Sequence, residues 1–323
     1  MSLLGLLAWL GLAACGSSGG SGGGTDGGDH GYSPKACLVD PECPSVLLSA
    51  HRGLCGDEPE NTIAAVLACQ RAGVPMVEVD TRETADGRVV IMHDADVERT
   101  TDGERRFDGR SAVDELSLAE FETLRIDDPR CGGDDEDDPD RCHPPTLQQL
   151  LAATDDGLLL DIDFKAGDPA RLARVVREAD AVDRVLVFDS DFDTLRAVHR
   201  ELPQVQVMPR GHQPADFEAL LQAADEAGIG LRWAHGDARD AETVAELLAA
   251  SGVRLYINAW DGDHPADIWA GAAELLEDPE ERQAMWQRAY EALDTMCAAG
   301  ARALGTDFGH RYVEHLYPDG FGR

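Results

Sequence analysis

The sequence predicts a TIM (β/α)8 barrel, an α/β fold, and three observations predict it. Short apolar runs alternate with helix-period runs from Ser45 to near the C-terminus. The span is close to the roughly 250 residues that one such barrel takes. Several apolar runs also close on a histidine, a carboxylate or a lysine, which is how a barrel delivers chemistry to one rim. A doubly wound open sheet is the competing architecture, but no glycine-rich phosphate fingerprint follows any strand run.

The elements follow in order. Residues 1–15 read as a signal segment. An apolar stretch from Leu3 to Ala14, too short for an ordinary membrane-spanning helix, ends in Leu12-Ala13-Ala14-Cys15. This ending resembles a bacterial lipobox, in which Cys15 is lipidated and becomes the first mature residue. The expectation is an exported lipoprotein, held to the membrane by an N-terminal lipid anchor on the periplasmic or cell-surface side. Residues 16–44 read as a flexible Gly/Ser tether followed by a disulfide loop. Cys37 and Cys43 flank a proline-containing loop, and Cys131 and Cys142 flank an acidic one, so both pairs are expected to be disulfides. Cys55, Cys69 and Cys297 are left without assigned partners.

The barrel is expected over residues 45–323. Residues 46–50 form the first strand run, and Asn61 or Thr62 caps a helix running to Gly73. Strand runs follow at 76–81 and 89–92, separated by a tight turn at Asp86-Gly87. Residues 94–145 interrupt the alternation with a polar, Asp-rich block, read as a small insertion above the rim after the third strand. The acidic run 134–138 lacks the ordered spacing of a calcium loop and reads as a solvated charge run. Helix and strand then alternate, with strands at 158–164, 185–188, 205–208, 231–234, 254–258 and 303–305. That makes nine strand runs, one more than a barrel needs. Either 205–208 or 231–234 is expected to be the extra element.

Composition narrows the function. The chain has 323 residues, 43% of them apolar, which is ample for a large core, and its formal charge is −34. So acidic a surface repels nucleic acid and anionic headgroups. Lys35 and Lys165 are the only lysines among 28 basic residues.

The chemistry comes from strand geometry. Residues i and i+2 of a strand project to one side, so Glu78 and Asp80 point together, as do Asp161, Asp163 and Lys165. Carboxylates facing a barrel interior are costly unless a cation meets them, and oxygen ligands suit Ca²⁺ or Mg²⁺. Glu78, Asp80 and Asp163 are the expected metal ligands, with Asp161 a competitor. His51 and His93 each close an apolar run and suit general acid and base work. Arg52 offers a planar fork, and Lys165 a compact ammonium, for phosphate oxygens.

At these positions the sequence resembles the glycerophosphodiester phosphodiesterase family. The resemblance is carried by His51-Arg52-Gly53, Pro59-Glu60-Asn61-Thr62, Glu78-Val79-Asp80, Asp86-Gly87, His93-Asp94 and Arg99-Thr100-Thr101-Asp102-Gly103. It continues through Pro145-Thr146-Leu147, Asp163-Phe164-Lys165, Phe188-Asp189, Tyr256-Ile257-Asn258 and Thr306-Asp307. It implies a TIM barrel with a small insertion after the His-Asp motif. It also implies metal-assisted hydrolysis of a small glycerophosphodiester to glycerol 3-phosphate and an alcohol. His51 and His93 would be the acid–base pair, Glu78, Asp80 and Asp163 the metal ligands, and Arg52 and Lys165 the phosphate-binding residues. Asp163 stands where the family usually has glutamate, one methylene longer, and the Tyr256 strand departs from its usual Trp-Thr-Val-Asn. Two other readings stay open. One is phospholipase D-like cleavage of lysolipid or sphingolipid headgroups on the same barrel; the other is a non-catalytic surface binding lipoprotein.

Overall fold

A computed structural model describes residues 32–131, 138–260 and 266–322. Its core is a barrel of eight parallel strands: β1 (Leu47–Ala50), β2 (Met76–Glu83), β4 (Leu159–Phe164), β5 (Val185–Asp189), β6 (Gln206–Pro209), β7 (Trp233–Gly236), β8 (Arg254–Asn258) and β9 (Ala301–Thr306). They are ordered β6-β5-β4-β2-β1-β9-β8-β7, and a parallel bridge between Arg210 and His235 joins the two ends. Helices pack outside, and the main apolar core lies between them and the sheet. None of the described helices is long and apolar enough to cross a membrane.

The ninth strand is β3 (Val89–Ile91), and it corrects the sequence expectation. Residues 206–209 and 233–236 are both full members of the barrel, whereas β3 runs antiparallel to the far end of β2, with Thr81 opposite Ile91 and Glu83 opposite Val89. The reason is the connection. A parallel neighbour needs a crossover of a dozen or more residues, while the short turn around Gly87 can only fold the chain back. Gly87 takes φ +76°, and the Thr84 hydroxyl donates to Asp86 at 2.7 Å. The hairpin therefore rises past the rim on β2 and returns on β3, where the Met92 amide donates to the Asp80 carbonyl. His93 is lowered back to the rim by this return, not delivered by a barrel strand of its own.

Residues 33–44, expected ahead of the barrel, form its floor. The helix Pro34–Val39 buries Cys37 and Leu38 against Leu47, Met76, Leu159 and Trp233. Trp233 donates its indole N–H to the Leu38 carbonyl at 2.7 Å. Arg254, buried 4.3 Å over the Trp233 ring, donates to the carbonyls of Cys37 and Ser45. The expected Cys37–Cys43 and Cys131–Cys142 disulfides are present, together with Cys55–Cys69. The inserted block after β3 carries its own small core of Val97, Val113, Leu116, Phe121 and Leu124, closed on Val90 and Met92 of the hairpin.

Candidate active site

The site is built on the turn that follows β1. His51-Arg52-Gly53 makes a single tight turn, with Arg52 at φ +51° and Gly53 at φ +70°. A Cβ on Gly53 would press on Ala65 and on the Val66 backbone at 3.2 Å, so glycine lets the turn seat against the helix Ile63–Ala72. A left-handed arginine costs roughly 1–3 kcal/mol unless its surroundings hold it. Here the Arg52 amide donates to Glu78 Oε2 at 2.7 Å, and the Asn61 amide donates to the Arg52 carbonyl at 2.8 Å. The guanidinium donates to Glu60 at 3.0 Å and lies 3.6 Å from Asp80.

The cap left open by the sequence is Thr62, whose hydroxyl accepts from the Ala65 amide. Asn61 does something else. Its side-chain amide donates to Asp80 Oδ2 at 2.8 Å, and its oxygen accepts from the Asp80 amide at 3.2 Å. Sequence reasoning missed this brace.

Register between β2 and β4 sets Glu78 beside Asp161 and Asp80 beside Asp163. Oxygens of Glu78, Asp80 and Asp163 lie within 4.8 Å of one another, as the paired-carboxylate reading expected. Glu78, Asp80 and Asp161 are buried, Asp80 at 1% exposure and Asp161 at 2%, and Asp163 is partly buried. Burial, reinforced by the neighbouring acids, pushes Glu78 well above the usual carboxylate range. Burial and Asp163 take Asp161 up to about 8. Burial also raises Asp163, against the pull of Lys165. Lys165 Nζ sits 2.5 Å from Asp163 Oδ2 and 3.2 Å from Asp80 Oδ1. Burial would lower this ammonium, but the two carboxylates outweigh it and hold it raised. Four acids thus face two cations, Arg52 and Lys165, and Asp161 Oδ1 is buried with no hydrogen-bond partner. Such a donor set fits a hard divalent ion, whose two charges would balance the count.

Both histidines are oriented the same way. His51 Nδ1 lies 2.7 Å from Asp307 Oδ1, and His93 Nδ1 lies 2.7 Å from Asp94 Oδ1. In each ring this carboxylate contact leaves Nε2 for other work. His51 also rests 4.4 Å from the Trp260 ring. His51, Glu78, Asp163 and Lys165 open on one cavity of about 200 Å³, with Arg210, His235 and Asn258 on its far wall. Asp80 and Arg52 do not line the cavity; Asp80 lies beside Lys165 on the near side, and Arg52 beside Asp80. His93 stands on the rim, within electrostatic reach of Asp163. Burial and then Arg210 hold His235 down to about 3, so it stays neutral. His235 and Asp307 both stand at or beside strand ends, which is the signal that could have found them; the predicted 231–234 run stopped one residue short of His235.

Two supports complete the geometry. Arg99 donates to Asp94 at 2.5 Å and to Glu60 at 2.6 and 3.0 Å, tying the carboxylate on His93 to the one on Arg52. Asp267, on the unpredicted helix Ala266–Glu274, accepts from the Thr306 hydroxyl at 2.7 Å and the Asp307 amide at 2.9 Å. Burial raises Asp267 to about 6 from an ordinary 3.8. The folded chain therefore keeps a proton there that the unfolded chain has already released. The contribution of Asp267 itself to stability should fall as pH rises from about 4 to about 6. In Asp267→Asn the decline over that range should be shallower than in the wild type, as denaturant unfolding at a series of pH values would show. Cys15 lies outside the described residues, as does most of the acidic run 134–138, of which Asp138 caps the helix Pro139–Cys142.

Comparisons with known proteins agree with this construction. Residues 51–309 match the Glycerophosphoryl diester phosphodiesterase family. The chain is similar to a glycerophosphodiester phosphodiesterase of Caldanaerobacter subterraneus subsp. tengcongensis, 29% identical over 168 residues, which is 50% of this chain and 65% of the relative. The match thus spans just under two thirds of that relative's length. Among solved structures, a glycerophosphoryl diester phosphodiesterase from Parabacteroides distasonis superposes with a TM-score of 0.63 at 20% identity, covering 89% of this chain and 93% of that one. An Oleispira antarctica phosphodiesterase in complex with the product sn-glycerol-3-phosphate gives 0.57 at 19% identity, covering 84% and 96%. At these identities the structures share the fold.

Proposed function

The chain belongs to the glycerophosphoryl diester phosphodiesterase family, and from that premise we propose that it hydrolyses glycerophosphodiesters to glycerol 3-phosphate and an alcohol with a divalent cation, Ca²⁺ or Mg²⁺. One observation carries the reading: two imidazoles, each held at Nδ1 by its own carboxylate, stand on the rim that carries the three-acid cluster. The product named with the Oleispira neighbour supports the substrate class. Glu78, Asp80 and Asp163 hold the cation, which when bound supplies positive charge to the phosphodiester. Arg52 and Lys165 add charge to its non-bridging oxygens. One histidine takes the proton of the attacking oxygen through Nε2, and the other protonates the leaving alkoxide. Asp307 and Asp94 keep each ring aimed through Nδ1.

The test is ³¹P NMR of glycerophosphocholine incubated with the protein and Mg²⁺ or Ca²⁺. A growing glycerol 3-phosphate resonance is expected. An unchanged diester signal under both metals rejects the proposal, and faster turnover of lysophosphatidylcholine shifts it to lipid headgroup cleavage. Export belongs to the same reading, with membrane attachment through Cys15; the three disulfides between described residues suit an oxidising compartment. Cys15→Ser should move the protein from the membrane fraction to the soluble one, and an unaltered distribution would discard the anchor.

A further inference from the structure

The acid cluster has a lower layer that its three converging carboxylates do not use. Along a strand, residues i and i+2 are about 6.6 Å apart. Glu78 and Asp161 therefore start one level below Asp80 and Asp163 in the paired register of β2 and β4. Glu78 has one methylene more than Asp161. That extra reach brings its oxygen up to the other two, within 4.8 Å of both. Asp161 starts on the same level and stops short.

Its position is nonetheless that of a participant. Asp161 is 2% exposed, the Tyr256 hydroxyl serves its carboxylate but Oδ1 has no hydrogen-bond partner, and it lines the same cavity as His51, Glu78 and Asp163. A buried acceptor left without a donor is costly, and native chains normally supply one. The missing donor has a natural source. An ion–water distance of about 2.1–2.5 Å and a water–carboxylate hydrogen bond of about 2.7 Å together span roughly 5 Å. One water thus bridges an ion at the upper level to a carboxylate one layer down.

We propose that Asp161 is an outer carboxylate of the cation site, accepting a hydrogen bond from a water held on the ion. The inference rests on the reading of Glu78, Asp80 and Asp163 as cation ligands. It fits the departure at Asp163, whose shorter side chain would leave room for water on a bound ion. Groups in this outer position are worth about 10–100-fold in metal affinity.

The test uses Mn²⁺ alone as probe, titrated calorimetrically into the full chain. Asp161→Asn, which keeps the shape and removes the charge, should bind Mn²⁺ about 10–100-fold more weakly. Its unfolding midpoint in metal-free buffer should not drop. Affinity equal to that of the wild type overturns the proposal. A second measurement needs no variant and decides the matter should Asp161→Asn fail to fold. Wild-type crystals soaked in Mn²⁺ should show the anomalous peak among Glu78, Asp80 and Asp163, with one water between it and Asp161 Oδ1. Direct contact between Asp161 and the ion, or no water between them, overturns the outer role. A wild-type chain that takes up no Mn²⁺ overturns the cation reading as well, whereas an indifferent Asp161→Asn removes Asp161 alone.

Discussion

Replacing His51 with alanine is expected to lower kcat on glycerophosphocholine by about 10²–10⁴-fold, the usual worth of a positioned acid or base. In barrier height that is roughly 3–5 kcal/mol. The imidazole lies in the cavity with Glu78, Asp163 and Lys165, and its Nδ1 is committed to Asp307 at 2.7 Å. Alanine removes the proton carrier and leaves the acid cluster in place, so the loss should fall on kcat more than on KM. His93→Ala should cost a similar factor, because Asp94 holds its ring in the same way. The two losses should not add, since either histidine alone cannot complete both proton transfers. Asp307→Asn should be milder than His51→Ala, because it misorients the ring without deleting it. Stopped assays on purified variants, with matching far-UV spectra, would measure this. Either histidine variant keeping a tenth or more of wild-type kcat would reject the acid–base assignment.

Stripping divalent ions should be as damaging. A cation at Glu78, Asp80 and Asp163 is asked for several kcal/mol of charge stabilisation, or about 10²–10³-fold in rate at 1.36 kcal/mol per decade. Chelation followed by dialysis should take turnover down by at least that factor, and Mg²⁺ or Ca²⁺ should restore it. Asp80→Ala should not be rescued at comparable metal concentrations. That side chain is 1% exposed and serves as the partner of Asn61, Arg52 and Lys165, so its loss removes one acid of the cluster and loosens both basic side chains. Full activity in metal-free protein would remove the cation from the reaction and leave the acid cluster to be explained by Lys165 and Arg52 alone.

Much of this site could be read from strand periodicity. Glu78 with Asp80, and Asp161 with Asp163, had to share a face because side chains alternate along any strand. That β2 and β4 are neighbours, and in the register that joins the pairs, could not be read, because pairing depends on contacts far apart in the chain. The same gap explains the extra strand. The run 89–92 has the composition of a barrel strand, and only its short turn reveals a hairpin. Asn61 is another case. Its side chain could serve a helix end or a carboxylate equally well, and the fold chose Asp80 by leaving Thr62 to the cap.

By itself the sequence determined the barrel class, the residue types at the rim and the two loop disulfides, since each follows from patterns within a few residues. The tertiary structure alone decided that Asp307 and Asp94 aim the two imidazoles, that residues 33–44 become the floor, and that Asp161 lies one layer beneath Asp80 and Asp163. Those outcomes depend on long-range register and on which strand ends meet, and no local pattern of side chains encodes them.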